Sequence, residues 1–217
     1  MRRLFSPLLI VIAGLGVVPA WADTDDSRSD SALPSQTAWL ARASALEKHA
    51  DWPGLLAWGA QWVRVEPENA TAWFVLGRAY SKVGRHPEAI AAYRQNLKID
   101  ASDVAALINL GNLYRAGNHL PQALMAYREA LQRDPDYIQA WHNLGQTLFA
   151  MKGMVGVTAA LRQLNAHEPE LAAAWRELIV EYAVSRDQRV AQKAIKVLRG
   201  LDADKRRRMF DILLAGV

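Results

Sequence analysis

Few side chains in this 217-residue chain are of a type and spacing that could do chemistry. His142 and Asn143, in the run AWHNLGQTL, could serve as a base with a neighbouring amide. The other histidines are His49, His86, His119 and His167. None has another histidine three or four residues away on a shared helix face, the spacing a metal pair requires. His167-Glu168-Pro169-Glu170 is broken by proline and cannot form a metalloprotease helix. Gly14-Leu15-Gly16 leads to no helix with a third glycine, and the sequence holds neither a phosphate loop nor a nucleophile elbow. With no cysteine, thiolate metal sites, thiol nucleophiles and disulfides are excluded. Asn69-Ala70-Thr71 reads as a glycosylation sequon, but Asn69 at a helix start is more simply a cap. The expectation is no enzyme, no cofactor and no metal.

Composition bounds what remains. Apolar residues make up 51% and charged residues 22%, values of a globular chain rather than a disordered one. Residues 1–22 open with Arg2 and Arg3, run apolar from Leu4 to Val18, and close on Ala20-Trp21-Ala22. That order describes a secretory signal peptide cleaved after Ala22, and its short Arg-rich start fits export to a bacterial periplasm. Removing two arginines and no acid lowers the net charge from +4 to +2, which argues against a nucleic-acid partner. Residues 23–35 are polar and acidic and read as a flexible linker.

Beyond the linker the chain repeats. Steps of 34 residues from Trp39 reach Trp73, Leu107, Trp141, Trp175 and Met209, all large and apolar. Pro53 is followed at the same interval by Pro87 and Pro121, while Pro135 and Pro169 belong to the series begun by Pro67. Trp73, Leu76, Gly77 and Tyr80 form one stripe of an amphipathic helix, and Ala89, Tyr93 and Leu97 form its partner. Gly84 and Pro87 punctuate the turn between them; Gly117 and Pro121 do so in the next period. A glycine inside a helix costs about 1 kcal/mol against alanine, so Gly77, Gly111 and Gly145 imply close packing. Ala89 and Ala123 are the expected small surfaces opposite.

Trp73, Leu76, Gly77, Tyr80 and Ala89, then Leu110, Gly111, Tyr114, Ala123 and Pro135, then Trp141, Leu144, Gly145 and Pro169, resemble the tetratricopeptide repeat. The resemblance implies an all-α solenoid of stacked antiparallel helix pairs, a right-handed superhelix, over residues 36–205. The repeats would span 36–69, 70–103, 104–137, 138–171 and 172–205, with 206–217 part of a C-terminal capping helix. It implies that the first helix of each pair lines a concave groove. Phe74, Arg78, Ile108, Asn109, Asn112, Arg115, Gln139, His142, Asn143, Gln146, Phe149, Arg176 and Glu177 would then face it. Amide and guanidinium groups among apolar ones suit capture of an extended peptide or a helix. The carboxylate clamp of some family members is matched only at Asn109; Phe74 and Gln139 replace its lysines and Asn143 its arginine.

Two patches suggest further contacts. From Arg186 to Arg208 nine Lys/Arg face three Asp, a surface for an anionic membrane or a solvated face of the last helices. Trp58 and Trp62 read either as a docking stripe or as a cover for the N-terminal end of the core. The functional expectation is a periplasmic protein-binding adaptor or scaffold for an envelope complex. An assembly factor using its basic C-terminal end, and a regulatory subunit of an enzyme, are the alternatives.

Overall fold

A computed structural model describes residues 34–177 and 187–215. The expected signal peptide lies outside them, as do all but the last two residues of the expected linker. The helices are α1 (Gln36–Lys48), α2 (Trp52–Val65), α3 (Ala70–Lys82), α4 (His86–Ile99), α5 (Val104–Ala116), α6 (Leu120–Arg133) and α7 (Ile138–His167). They continue with α8 (Pro169–Arg176), α9 (Gln188–Arg199) and α10 (Ala203–Leu213). Among the described residues there is no strand. From α1 to α9 successive described helices pack on one another, and α10 packs on α7, giving an all-α solenoid of stacked pairs.

Local chemistry sets the ends. Ser35, Asp51, Asn69, Asp103 and Asp202 each cap a helix by accepting a backbone N–H three residues on. Asp187 caps α9 in the same way, two residues on. Such a cap contributes about 1 kcal/mol. Asn69 is therefore occupied as a cap. Proline in the first turn of α2, α4, α6 and α8 sacrifices only an N–H that would have no helical partner.

The turns within the pairs also keep the period. Ala50 (φ 54°), Gly84 (φ 80°) and Asn118 (φ 59°) take left-handed backbone at 34-residue intervals. Gly117 does not: its φ is −83°, and the turn function expected of it belongs to Asn118. Asparagine tolerates that conformation because its short amide can bond locally. The next such residue, Gly153 (φ 63°), lies one place late. It breaks α7 into two arms with a backbone geometry, ψ 179°, open essentially to glycine alone. By length and apolarity α7 would span a bilayer, but Trp141, Leu144, Leu148, Val157 and Leu164 are buried in the protein core.

The glycines meet partners other than the alanines expected. A Cβ on Gly77 would lie 3.1 Å from the Tyr93 ring, and one on Gly111 2.6 Å from the Tyr127 ring. A tyrosine ring, rather than Ala89 or Ala123, thus stands nearest to Gly77 and Gly111. In the first pair the arrangement is inverted, with Ala43 at the glycine position and Gly59 at the tyrosine position. There the close approach passes to the next pair, since a Cβ on Gly59 would lie 3.2 Å from the Leu76 backbone.

Two apolar clusters make the core. Trp39, Trp62, Leu55, Ala72, Val75 and Ala79 form one across α1–α3; the other runs from α4 to α10. Trp62 stacks on Trp39 at 5.5 Å, and Trp58 donates its indole N–H to the Trp39 carbonyl at 3.1 Å. These tryptophans are thus spent on the N-terminal core.

The C-terminal helix buries Met209, Phe210 and Leu213 completely. It closes the core by packing back across α7. Phe210 stacks on Trp141 at 5.7 Å, and Arg128 of α6 pairs with Asp211 at 3.1 Å while lying over the Phe210 ring. Arg199 reaches Asp136 ahead of α7 at 2.7 Å, fixing α9 to the same region.

Candidate peptide-binding groove

Phe74 and Arg78 project from one face of α3, and Asn109 and Asn112 from α5, because positions three to five apart share a helix face. The fold brings these four together in a cleft of about 590 Å³ that is also lined by Ser81, Lys82, His86, Tyr93, Leu113 and Tyr137. Lys82, His86 and Tyr137 escape a reading limited to first-helix groove positions. Lys82 closes the last turn of α3, His86 opens α4, and Tyr137 precedes α7. The signal that could have found Lys82 is its place one helical turn beyond Arg78.

The polar wall is ordered by hydrogen bonds. The Tyr127 hydroxyl donates to Asn112 Oδ1 at 2.7 Å, and Asn143 Nδ2 donates to the same oxygen at 2.9 Å. Gln139 Nε2 in turn donates to Asn143 Oδ1 at 2.9 Å. With its oxygen taken twice, Asn112 keeps its N–H donors for another acceptor. Gln139 and Asn143 thus reach the groove through this chain of amides, whereas Asn109 lines it directly.

The cationic side is partly neutralised. Arg78 pairs with Glu47 at 3.2 Å, and Lys82 lies 5.3 Å over the Trp52 ring. Tyr93 presents its ring edge to Phe74 at 5.7 Å. Burial raises the Tyr93 hydroxyl pKa, against an opposing pull from Arg78; burial likewise raises that of Tyr127, with Arg115 bonded to it as the opposing influence. Both phenols therefore remain neutral donors at ordinary pH.

The other expected groove residues separate. His142 is only 3% exposed, Asn143 5% and Ile108 6%, so these are interior positions. His142 lies on a helix packed by α6, α8 and α10, which the repeat pattern alone does not reveal. Gln146 and Arg115 are exposed, and Phe149 packs against the core. Arg176 lines a different cleft, of about 400 Å³, with Thr158, Leu161, Arg162 and Asn165. Glu177 is held by Lys193 at 3.2 Å.

A family model described as the TPR repeat matches residues 77–115 and 111–152, the stretch that holds Arg78, Asn109, Asn112 and Asn143. Residues 77–152 of the chain carry tetratricopeptide repeats. Solved tetratricopeptide-repeat folds resemble it along most of its length. A crystal structure of MamA aligns at 18% identity and TM-score 0.51, covering 76% of this chain and 94% of that one. YrrB, described as a TPR protein with an unusual peptide-binding site, aligns at 17% identity and TM-score 0.51, over 80% and 92%. A thermophilic TPR protein from Thermus thermophilus, TTC0263, aligns at 19% and TM-score 0.50, over 83% and 100%. No curated protein matches the sequence. At such identities the likeness shows the shared repeat fold.

The basic C-terminal end is largely engaged within the molecule. Arg189, Lys193, Arg199, Arg207 and Arg208 pair with Asp187, Glu177, Asp136, Asp204 and Glu168.

Proposed function

We propose that this tetratricopeptide-repeat protein is an exported adaptor that captures an extended peptide or helix of a partner in the groove between α3 and α5. Its work would be assembly or maturation of an envelope complex, by binding alone. The observation that carries the groove is the convergence of Phe74, Arg78, Asn109 and Asn112 in one cleft, with the Asn112 oxygen already engaged and its donors left over. An apolar ring with free amide donors matches the alternating side chains and carbonyls of an extended chain. The solved relative YrrB, with its peptide-binding site, supports the same use of the fold. Periplasmic location rests on the leader pattern of residues 1–22.

The test uses positions that line the groove and are only partly buried. Asn112 is unsuitable alone, since Asn112→Ala also strips Tyr127 and Asn143 of their acceptor. Phe74→Ala combined with Asn109→Ala should lower capture of a crosslinked periplasmic partner about tenfold, the loss of roughly 1.4 kcal/mol of contact. Circular dichroism should stay that of the parent. An unchanged set of crosslinked partners would reject the groove, and retention of the leader in exported material would reject cleavage after Ala22.

A further inference from the structure

The face of α3 turned away from Phe74 and Arg78 lines a second cleft. Trp73, Leu76 and Tyr80 form one wall; Glu88, Ala91, Ala92, Arg94, Gln95 and Lys98 of α4 form the other, around about 780 Å³. Its origin can be read by stepping back one repeat. At Trp39, the equivalent of Trp73, the space against the second helix is filled by Trp58, whose ring centroid lies 4.3 Å away. The residue 34 places after Trp58 is Ala92, and a methyl stands where α2 carries an indole. Alanine recurs at that position in the later repeats, as Ala126, Ala160 and Ala194, so Trp58 is the exception. Trp39 is buried because Trp58 covers it and Trp141 because Phe210 does, while Trp73 remains half-buried beside open space.

The rim adds charge. Glu88 is taken by Arg85 at 2.8 Å, and Arg94 donates from Nε to the Tyr114 hydroxyl at 3.0 Å. Among the described residues Lys98 has no ion-pair partner. The chain itself shows what covers a tryptophan at this repeat position: Phe210 stacks on Trp141 at 5.7 Å, and the adjoining Asp211 pairs its carboxylate with Arg128. We propose that the α3–α4 cleft is a second docking site, which takes an aromatic side chain flanked by a carboxylate on a segment of a partner protein. The aromatic ring occupies the place left open where Ala92 stands in for Trp58, against Trp73, Leu76 and Tyr80. The carboxylate meets Lys98 and the outer nitrogens of Arg94.

The site is separate from the groove, and its test is too. The indole N–H of Trp73 donates to the Pro67 carbonyl at 2.7 Å, so its NMR resonance reports on the cleft. The mature chain is titrated with an acetylated, amidated peptide of sequence Gly-Trp-Asp-Gly, then with versions carrying Ala for Trp or Lys for Asp. The Trp-Asp peptide should shift the Trp73 signal, and each replacement should weaken binding about tenfold or more. Ala92→Trp, which installs the missing indole, should abolish the shift. Should circular dichroism show that this variant does not fold, Ala91→Phe on the exposed lip makes the same block. Gln95→Glu with Lys98→Glu should weaken binding of the acidic peptide and not of the lysine version. Phe74→Ala with Asn109→Ala should leave the titration unchanged, whatever happens at the groove. No Trp73 shift at millimolar peptide, or a shift that survives the blocking variants, would overturn the proposal; equal binding of the lysine peptide would overturn its carboxylate part.

Discussion

From α1 to α6 the chain reverses at Ala50, Gly84 and Asn118, and each reversal returns the next helix to the same register. From α7 onward the reversal slips to Gly153, α7 runs on through it, and α10 turns back onto Trp141. One small substitution accompanies the change. Tyr114 gives Arg94 a hydroxyl and a ring; Leu148, 34 residues later, offers Arg128 neither. Arg128 binds Phe210 and Asp211 instead, so the end of the chain completes a contact that the preceding repeat makes internally. A repeat array is stable as a sum of neighbour contacts, and where one neighbour lacks a contact another segment can supply it.

That contrast can be broken from either side. The largest effect should come from Gly111→Leu in the regular half. Its side chain must enter the Tyr127 ring, where even a Cβ would lie at 2.6 Å, and a cost of about 3 kcal/mol or more is expected. A melting temperature like the parent's would reject the glycine–tyrosine packing. Phe210→Ala should cost about 3 kcal/mol by emptying the stack on Trp141. Hydrogen exchange should show protection lost around α10 and the first arm of α7, and kept in α1–α4; uniform loss would mean that the two halves do not differ in this way. The smallest effects belong to the turns. Gly153→Ala should destabilise by about 1–3 kcal/mol, because its φ and ψ suit only glycine. Ala50→Gly should instead stabilise by about 1 kcal/mol, relieving a left-handed alanine. Equal responses in denaturant titrations would erase the distinction between the regular and displaced turns.

Much of this was legible in the letters. The period follows from Trp39, Trp73, Trp141 and Trp175, and the helix pairs from the apolar stripes around them. Asn69 was recognisable as a cap. The groove was half legible: Phe74, Arg78, Asn109 and Asn112 do converge, but Lys82, His86 and Tyr137 come from helix ends and a loop that a position rule omits. His142 faces inward although the repeat pattern points it outward. The partner of Gly111 was misassigned to Ala123 because sequence spacing names which residues share a face, without saying how far a tyrosine ring at the next turn will reach.

The sequence by itself determined the repeat length, the helical content, the capped ends and the absence of thiol chemistry. Each of these depends on residues close along the chain, or on residue type alone. Only the tertiary structure decided that Asn118 rather than Gly117 makes the second turn, that α10 folds back upon Trp141, and that Trp73 is left facing a cleft. Those outcomes depend on what stands opposite a side chain across the packing. Opposition is a property of neighbours in space, and a linear pattern fixes it only where every repeat is alike.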